Sequence, residues 1–369
     1  MVLLAATGCS GLPARGPAQT ETPGTVDQVS FFSTPEDLHQ TWLNKINGAR
    51  KTIRMEMFHL TDPAIVQALR AKTSQVEIDL ILDSGNLSDP GTDQIKNEIL
   101  TDRPNIHAYP SSGGPDGFTQ THTKAMIVDG NVALITSINL TGNAPVQRDY
   151  GIETSNGKII SEMTDVFNAD IRNSENAQNH QQPVRFTPED VGQGDPIWSP
   201  VDSESRLVSL IEESVKIPDG PDRYLDATVE NLGDVAIENA LSDAAKNHVK
   251  VRIIVPQCVL GANGPRNYGF FQFLKNGVQY KVMPHPSSPH QPYMHGKMIV
   301  LGNGRAYVGS VNFSKNSTQG NRELGIIFTS RQVGKQIDDV FREDWLQAAE
   351  VPDPSDIPTC PTKTSDPSK

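Results

Sequence analysis

The chain has 369 residues, with 44 acidic and 32 basic side chains, and a formal net charge of −12 at pH 7. Such a charge argues against a general nucleic-acid binder, which needs a basic surface, but it is compatible with a local basic pocket. No run of 18 apolar residues occurs, so no segment is expected to span a membrane. The length favours two domains or one large domain with internal symmetry.

Residues 1–27 have the composition of an export signal followed by a tether. A short apolar run ends at Cys9 in Ala-Thr-Gly-Cys, which is typical of the end of a bacterial lipoprotein signal with a lipidated cysteine. The basic start of such a signal is missing, so we expect it to be truncated at Met1. We predict export, as a cell-envelope lipoprotein or a secreted protein, with peripheral membrane contact through Cys9. An ordinary disordered start is the alternative.

Two further cysteines, Cys258 and Cys360, remain once Cys9 is assigned to lipidation. In an exported protein they can oxidise to a disulfide that ties the C-terminal tail to the second half. Two unrelated free thiols are an equally good interpretation.

Alternating strands and helices are predicted from residue 28 onward. Thr34 and Pro35 are expected to open a helix, because a capping residue precedes a proline and two acids at the positive end of the helix dipole. The predicted elements are a strand over 28–33, a helix to residue 48, a strand over 53–58, a helix over 62–71 and a strand over 76–82. This β-α-β order predicts the α/β class, with mostly parallel sheets and flanking helices.

One polar motif occurs twice in the chain. A His-x-Lys pair leads into an apolar stretch, a turn and a second apolar stretch that ends at Ser-x-Asn. The spacing from His to Asn is 17 residues in both copies (139 − 122 and 312 − 295). Alternate residues of a strand share one face, and a hairpin returns the chain to its start, so each copy gathers four polar groups at one end. The two copies are His122, Lys124, Ser137 and Asn139, and His295, Lys297, Ser310 and Asn312.

The repeated motif resembles that of the phospholipase D superfamily, His-x-Lys-x-x-x-x-Asp followed by Gly-Ser-x-Asn. The first copy has Asp129 at the Asp position and Thr136 where Gly is usual. The second copy keeps Gly309 but has Gly302 at the Asp position. The resemblance covers most of residues 28–348 and implies a phospholipase D-like fold.

The chain is internally duplicated. Asp234 and its apolar neighbours repeat Asp62 and its neighbours at an offset of 172 (234 − 62), and the motif histidines repeat at 173 (295 − 122). We therefore expect two pseudo-symmetric α-β-α halves. The expected boundaries are a first half over 28–172, a linker over 173–200, a second half over 201–350 and a disordered tail over 351–369.

The resemblance implies one active centre built from both copies. One neutral imidazole attacks phosphorus, the other delivers a proton to the leaving alcohol, and water then attacks the phosphohistidine. In two-motif chains of the family the N-terminal histidine is favoured as the nucleophile. The resemblance therefore implies His122 as the nucleophile and His295 as the acid and base, with the reverse assignment as the alternative. The lysines supply positive charge, so we expect neither a metal nor a cofactor.

The remaining motif residues have expected supporting roles. Lysines and asparagines suit the non-bridging phosphate oxygens, and these are Lys124, Lys297, Asn139 and Asn312. In the family, an acid after the motif hydrogen-bonds an active-site histidine, and Asp149 and Glu323 match that position; surface acids are the alternative. Asp129, Ser137 and Ser310 are expected to hold these groups in position from outside the layer of residues that contacts the substrate. A Gly-Asn-Gly turn can form without the motif Asp, so we expect activity despite Gly302, with a degenerate, inactive relative as the alternative.

Four functions are compatible with these residues. The first is hydrolysis of phospholipid head groups, which fits the two-motif chain, the acidic charge and the expected export. The others are cleavage of nucleic acid, phosphatidyl transfer to an alcohol, and binding of an anionic lipid or phosphate without catalysis. A net charge of −12 repels a polyanion, so no stable nucleic-acid partner is expected. We expect a monomer that acts on a phospholipid or another phosphodiester.

Overall fold

The computed structural model describes residues 29–87, 97–99, 101–111, 118–178, 195–257, 275–284 and 287–350. The predicted signal and tether, Cys9, Cys258, Cys360 and the predicted disordered tail lie outside these ranges. The predictions of export, lipidation and a disulfide therefore stay predictions. Within the described ranges, no helix is both long enough and apolar enough to cross a bilayer.

The described part of the first half contains eight strands and four α-helices. The strands are β1 (Val29–Ser33), β2 (Thr52–Met57), β3 (Glu77–Leu82), β4 (Ile106–Pro110), β5 (Lys124–Val128), β6 (Val132–Thr136), β7 (Gln147–Arg148) and β8 (Tyr150–Thr154). The helices are α1 (Leu38–Gly48), α2 (Pro63–Arg70), α3 (Ser84–Leu87) and α4 (Gly157–Gln178).

The second half contains nine strands and four helices among the described residues. The strands are β9 (Pro196–Ser199), β10 (Tyr224–Thr228), β11 (Lys250–Pro256), β12 (Gln279–Met283), β13 (Tyr293–Met294), β14 (Lys297–Leu301), β15 (Arg305–Gly309), β16 (Glu323–Thr329) and β17 (Ala349–Glu350). The helices are α5 (Ser203–Glu213), α6 (Val235–Lys246), α7 (Lys315–Gln319) and α8 (Arg331–Gln347).

The two large sheets have the same strand order. The first is β1-β8-β6-β5-β2-β3-β4, and the second is β9-β16-β15-β14-β10-β11-β12 with β17 added at its far edge. In both, the motif hairpin (β5–β6 or β14–β15) lies at the centre. The predicted duplication is therefore visible strand by strand, and the α/β class is confirmed.

The parallel character of the sheets is limited to part of each one. Strands β2, β3 and β4 pair in parallel, as do β10, β11 and β12, whereas the motif hairpins and the strands beyond them pair antiparallel. Five of the seven strands of the first sheet still point the same way. Most strands thus share one direction, as expected, and the antiparallel pairings arise because each hairpin inserts a reversed strand.

The sheets pack against each other through their inner faces. One apolar cluster contains residues of both sheets together with Phe167 of α4 and Phe341 of α8. A second cluster lies only in the first half, where α1 and α2 cover the sheet, and a third lies only in the second half under α5 and α6. The two halves therefore share a core, and the ends of the motif hairpins meet across it.

Two sequence predictions differ from the structure at element ends. The helix expected from Thr34 begins at Leu38, because Glu36 does not remain in a helical first turn but receives a 2.6 Å hydrogen bond from the Arg148 guanidinium. The polar linker predicted over 173–200 includes the end of α4 and all of β9. Ile197 and Trp198 of β9 are fully buried, which fixes this short strand at the edge of the second sheet.

Candidate active site

Both motif copies open onto one pocket between the halves. His122 and His295 lie just before β5 and β14, and Asn139 and Asn312 lie just after β6 and β15. The structure thus brings both histidines and both asparagines of the predicted site together. The pocket is lined by Phe58, Gln120, His122, Asn139, Glu230, Asn231, His295, Asn312, Ser314, Asn316, Ser317 and Asn321.

Each histidine is held by a carboxylate from the opposite half. His122 Nδ1 lies 2.8 Å from Glu323 Oε2, and His295 Nδ1 lies 2.7 Å from Asp149 Oδ1. Both carboxylates are fully buried, so the alternative of two surface acids is wrong. Because the pairs are exchanged, neither half contains a complete histidine–carboxylate pair of its own.

The exchange is fixed by the arginine that precedes each acid. Arg148 forms two hydrogen bonds, of 2.8 and 2.9 Å, to Asp344 of the second half, and Arg322 binds Asp170 of the first half at 3.0 Å. The backbone continues the contact, since the His122 N–H donates to the Arg322 carbonyl at 2.8 Å. Bidentate arginine–carboxylate pairs are geometrically specific, so they set the position of the adjoining acid.

His122 lies in an apolar and cationic environment. Its ring contacts the Phe58 ring at a centroid distance of 4.8 Å. Burial, together with the charges of Lys124 and Lys297, lowers the pKa of His122 well below 6.5. The neutral ring that donates its Nδ1 proton to Glu323 keeps an unprotonated Nε2, which is the nucleophilic nitrogen.

Glu323 must be ionised to hold His122 in that tautomer. Burial raises the pKa of Glu323 to about 7, against the opposing effects of the Lys124 charge and of hydrogen bonds from Ser317, Ser310 and Asn321. Ser317 Oγ donates to Glu323 Oε1, and Asn321 Nδ2 donates to the same atom at 3.2 Å. Protonation of Glu323 near pH 7 therefore changes which nitrogen of the neutral His122 ring carries the proton.

The two lysines are buried beside the histidines. Lys124 Nζ donates to the His122 carbonyl at 2.7 Å, and Lys297 Nζ donates to the His295 carbonyl. Burial and the charge of Lys297 lower the pKa of Lys124 to about 7. Neither lysine is among the side chains that line the pocket. Their positive charges lie close to it, and direct contact with phosphate stays a prediction.

The asparagines and serines have different partners. Asn139 Oδ1 is buried without a hydrogen-bond partner among the described residues, whereas Asn312 Oδ1 accepts the backbone N–H of Asn231 at 3.0 Å. Ser137 Oγ donates to Asp149 Oδ1 at 2.6 Å, and Ser310 Oγ accepts the Leu324 N–H at 3.1 Å. Ser137 thus contacts one acid, and Ser310 contacts the strand that carries the other, while the supporting role of both serines stays a prediction.

No metal centre is found in the part of the chain that the structure describes, where no three His, Cys, Asp or Glu side chains are grouped so as to hold an ion. Metal-independent chemistry stays a prediction for this site.

A family comparison agrees with the motif. Residues 42–171 and 222–345, more than half of the chain, match the family described as cardiolipin synthase, PLD-like domain. The chain belongs to the phospholipase D superfamily. A curated relative, the probable cardiolipin synthase YwiE of Bacillus subtilis (strain 168), is 26% identical over 252 residues. That match covers 63% of this chain and 47% of YwiE, so the chain spans about half the length of this relative.

Two solved structures share the phospholipase D fold of this chain. Phosphatidylserine synthase of Haemophilus influenzae Rd KW20 has a TM-score of 0.63 and 11% identity, and the match covers 90% of this chain and 89% of that one. Polyphosphate kinase of Porphyromonas gingivalis has a TM-score of 0.58 and 14% identity, with coverages of 85% and 50%. At these identities the likeness concerns the fold alone.

The Asp of the phospholipase D motif has a structural function in the first copy. Asp129 accepts the backbone N–H groups of the segment before β2 at 2.7–3.1 Å, and these belong to Arg50, Lys51 and Thr52. At the same position of the second copy, a Cβ on Gly302 would lie 1.9 Å from the Asp222 carbonyl oxygen. The equivalent segment therefore packs directly against Gly302, and the carboxylate has neither room nor N–H groups to bridge.

Sequence reasoning missed several residues that line the pocket, among them Glu230. It follows β10 and lines the pocket, with Oε2 3.3 Å from Lys297 Nζ and 3.7 Å from His295 Nε2. Tyr293 donates to its Oε1 at 2.8 Å. The duplication offset of 172 pairs Glu230 with Phe58 (230 − 58), so aligning the two halves was the signal that could have found it.

Proposed function

We propose that the protein transfers a phosphatidyl group from a phospholipid to an alcohol through a phosphohistidine intermediate. The sequence alone favoured hydrolysis. The matched family is described as cardiolipin synthase, PLD-like domain, and the curated relative is named a probable cardiolipin synthase, and these names favour transfer over hydrolysis for this chain.

One observation carries the proposal. Two buried histidines border the same polar pocket, and each is bound through Nδ1 to a carboxylate of the opposite half. This arrangement leaves Nε2 of each ring for chemistry in the pocket. A two-step displacement at phosphorus needs one nucleophile and one proton carrier, and the two rings supply that pair.

In the first step, Nε2 of His122 attacks phosphorus and the bond from phosphorus to the leaving alcohol breaks. The leaving oxygen takes the proton from Nε2 of His295. In the second step, an acceptor alcohol gives its proton to His295 as its oxygen attacks phosphorus. The phosphorus–nitrogen bond then breaks, and its electron pair returns to His122.

The charge distribution around the rings supports this sequence of steps. Charge moves onto the non-bridging oxygens in the transition state, and preorganised donors in a buried site stabilise it strongly. Lys124 and Lys297 place two positive charges beside the histidines, and Asn139 and Asn312 line the pocket. The lowered pKa of His122 suits the nucleophile, which must be neutral when it attacks.

Hydrolysis is the second candidate, because water can replace the acceptor alcohol at the same intermediate. The net charge of −12 argues against nucleic acid as the phosphodiester. We therefore expect the two lipid products to differ only in the acceptor.

The test uses the full chain with phosphatidylglycerol vesicles, EDTA and increasing ethanol, and it measures lipid products by mass spectrometry. We expect phosphatidylethanol to exceed phosphatidic acid as ethanol rises, and both to vanish in His122→Ala and His295→Ala. His107→Ala is the matched control, because His107 is exposed and pairs only loosely with Glu77 at 3.6 Å. Phosphatidic acid alone, with neither phosphatidylethanol nor cardiolipin formed by transfer to a second phosphatidylglycerol, would identify a hydrolase. Nicking of an added plasmid without any lipid product would identify a nuclease.

A further inference from the structure

Glu230 is a carboxylate in a pocket that must accept an anion. It is 7% exposed, and burial alone would raise its pKa, but the charges of Lys297 and His295 and the Tyr293 hydroxyl lower that pKa to about 2. Glu230 is therefore ionised at neutral pH. A second negative charge beside a phosphodiester is unfavourable unless it has a function or a further partner.

Among the described residues that line the pocket, a carboxylate occurs only on the His295 side. The pseudo-symmetric residue, Phe58, contacts His122 and lies with its ring 5.0 Å from Lys124 Nζ. The nucleophile side is thus faced by an aromatic ring, and the His295 side by a carboxylate. The remaining wall is rich in amides and hydroxyls, including Gln120, Asn231 and Asn316.

We propose that Glu230 binds the alcohol that leaves or enters at His295 and selects alcohols that carry a second hydrogen-bond donor, a hydroxyl or a protonated amine, close to the reacting oxygen. The inference rests on the proposed function and specifies its acceptor as a polyol or an amino alcohol.

The distances support this assignment. The oxygen that exchanges a proton with His295 must lie within hydrogen-bond reach of Nε2. Glu230 Oε2 is 3.7 Å from the same nitrogen, so a donor on the neighbouring carbon, or on the next one, reaches the carboxylate. An ionised carboxylate accepts about four hydrogen bonds, and Tyr293 and Lys297 occupy two of these positions. Glu230 therefore has capacity for a donor from the alcohol.

Two other functions of Glu230 give different results. If the carboxylate occupied the phosphate position and had to move away, its neutralisation would accelerate transfer to every alcohol. If it only held Lys297 in place, its loss would slow transfer to every alcohol equally. Selection of a donor-bearing alcohol changes the ratio between two acceptors instead.

The experiment measures competition between deuterium-labelled glycerol and 1-propanol at equal concentration, with the full chain, phosphatidylglycerol vesicles and product analysis by mass spectrometry. We expect wild type to prefer glycerol, and Glu230→Gln to lower the glycerol-to-propanol product ratio by roughly ten- to a hundredfold, as for loss of one hydrogen bond to a charged group. Glu230→Asp, which keeps the charge but shortens the side chain, should give an intermediate ratio. Glu213→Gln is the control, because Glu213 pairs with Arg305 outside the pocket.

An unchanged ratio in Glu230→Gln, with both products reduced or both increased, would overturn the inference. If Glu230→Gln fails to fold, the ratio in Glu230→Asp decides in the same way. Absence of any lipid product from wild type would overturn the proposed function, and the inference with it.

Discussion

The two halves of the molecule have the same sheet and the same exchanged histidine–carboxylate pair, but they differ at the residue that faces each histidine. Phe58 contacts His122, and Glu230 lies 3.7 Å from His295. Duplication thus supplies two equivalent imidazoles, and the position after β2 and β10, together with the different acids Glu323 and Asp149, makes their surroundings unlike. Two-step phosphoryl chemistry needs that difference, since one ring must be a neutral nucleophile and the other a proton carrier.

A second difference concerns the hairpin turns. The first half bridges its turn to the segment before β2 through the Asp129 carboxylate, while the second half closes the same gap by direct contact with Gly302. The motif Asp is therefore one of two solutions to a packing requirement. Its absence from the second half leaves the pocket residues in place.

The largest expected effect tests whether the histidines have different roles. His122→Ala and His295→Ala should each reduce turnover of a natural lipid by about 10²- to 10⁴-fold or more, because each removes a group from the reaction. The leaving group of an aryl phosphodiester needs no proton. With that substrate, His295→Ala should recover part of the rate of the first step, whereas His122→Ala should not. Burst kinetics of aryl alcohol release measure this. Equal behaviour of both variants on the aryl substrate would contradict the assignment.

The next effect tests whether the two crossings between the halves, the ion pairs Arg148–Asp344 and Arg322–Asp170, contribute equally to stability. Asp344→Asn and Asp170→Asn each remove the buried carboxylate that binds one of the two arginines, and such a loss typically costs about 3–5 kcal/mol of unfolding free energy. Glu36 still pairs with Arg148 in Asp344→Asn, so the smaller of the two losses is expected there. Asp339→Asn, at an exposed pair with Lys335, should change it by about 0–1 kcal/mol. Denaturant titration gives all three values. A loss in only one of the buried variants would show that one crossing dominates.

A smaller effect concerns pH and the first half's nucleophile. Glu323 has a pKa raised to about 7, and below that pH it becomes protonated and donates to His122 Nδ1, which moves the ring proton to Nε2. Activity should therefore rise as the pH increases toward about 7. Lys124, with a pKa of about 7, loses its charge in the same direction, so activity should fall again at higher pH.

The check on this pH dependence is the kcat/KM profile from about pH 5 to about pH 9 for wild type and Glu323→Gln. The variant should lose the ascending limb and have a maximum about 10²-fold lower, because an amide has no carboxyl proton to titrate. An unchanged ascending limb in Glu323→Gln would assign that limb to another group.

The smallest expected effect concerns the turns. Gly302→Asp restores the family motif, yet it should destabilise the protein by about 1–3 kcal/mol, because the new side chain meets the Asp222 backbone. Asp129→Ala should cost about 1–2 kcal/mol through its lost backbone hydrogen bonds. Thermal unfolding measures both changes. A more stable or more active Gly302→Asp variant would show that the motif Asp is needed in both halves.

Local pattern was enough to predict much of the fold. The two hairpins follow from alternating apolar runs and Gly- or Asn-containing turns, and the duplication follows from constant offsets. The start of α1 was placed too early because Glu36 binds Arg148, a contact more than 100 residues away in sequence. Strand β9 was taken for linker because its polar neighbours concealed two buried residues, Ile197 and Trp198.

The candidate site was predictable only where the motif marks it. Fixed spacings in the motif identify the histidines, the lysines, the asparagines and the acids that follow them. The exchange of Asp149 and Glu323 between the halves depends on how the two sheets meet, which no spacing encodes. Glu230 carries no motif, and only its mismatch with Phe58 distinguishes it.

The most direct test of the difference between the halves is the position of the phosphoryl group in the intermediate. Wild type and His295→Ala are mixed with a ³²P-labelled aryl phosphodiester, quenched rapidly at alkaline pH, digested and mapped by mass spectrometry. The account predicts label on His122 in both proteins and none in His122→Ala. Label on His295 would reverse the roles of the halves, and the absence of any phosphohistidine would contradict the two-step mechanism.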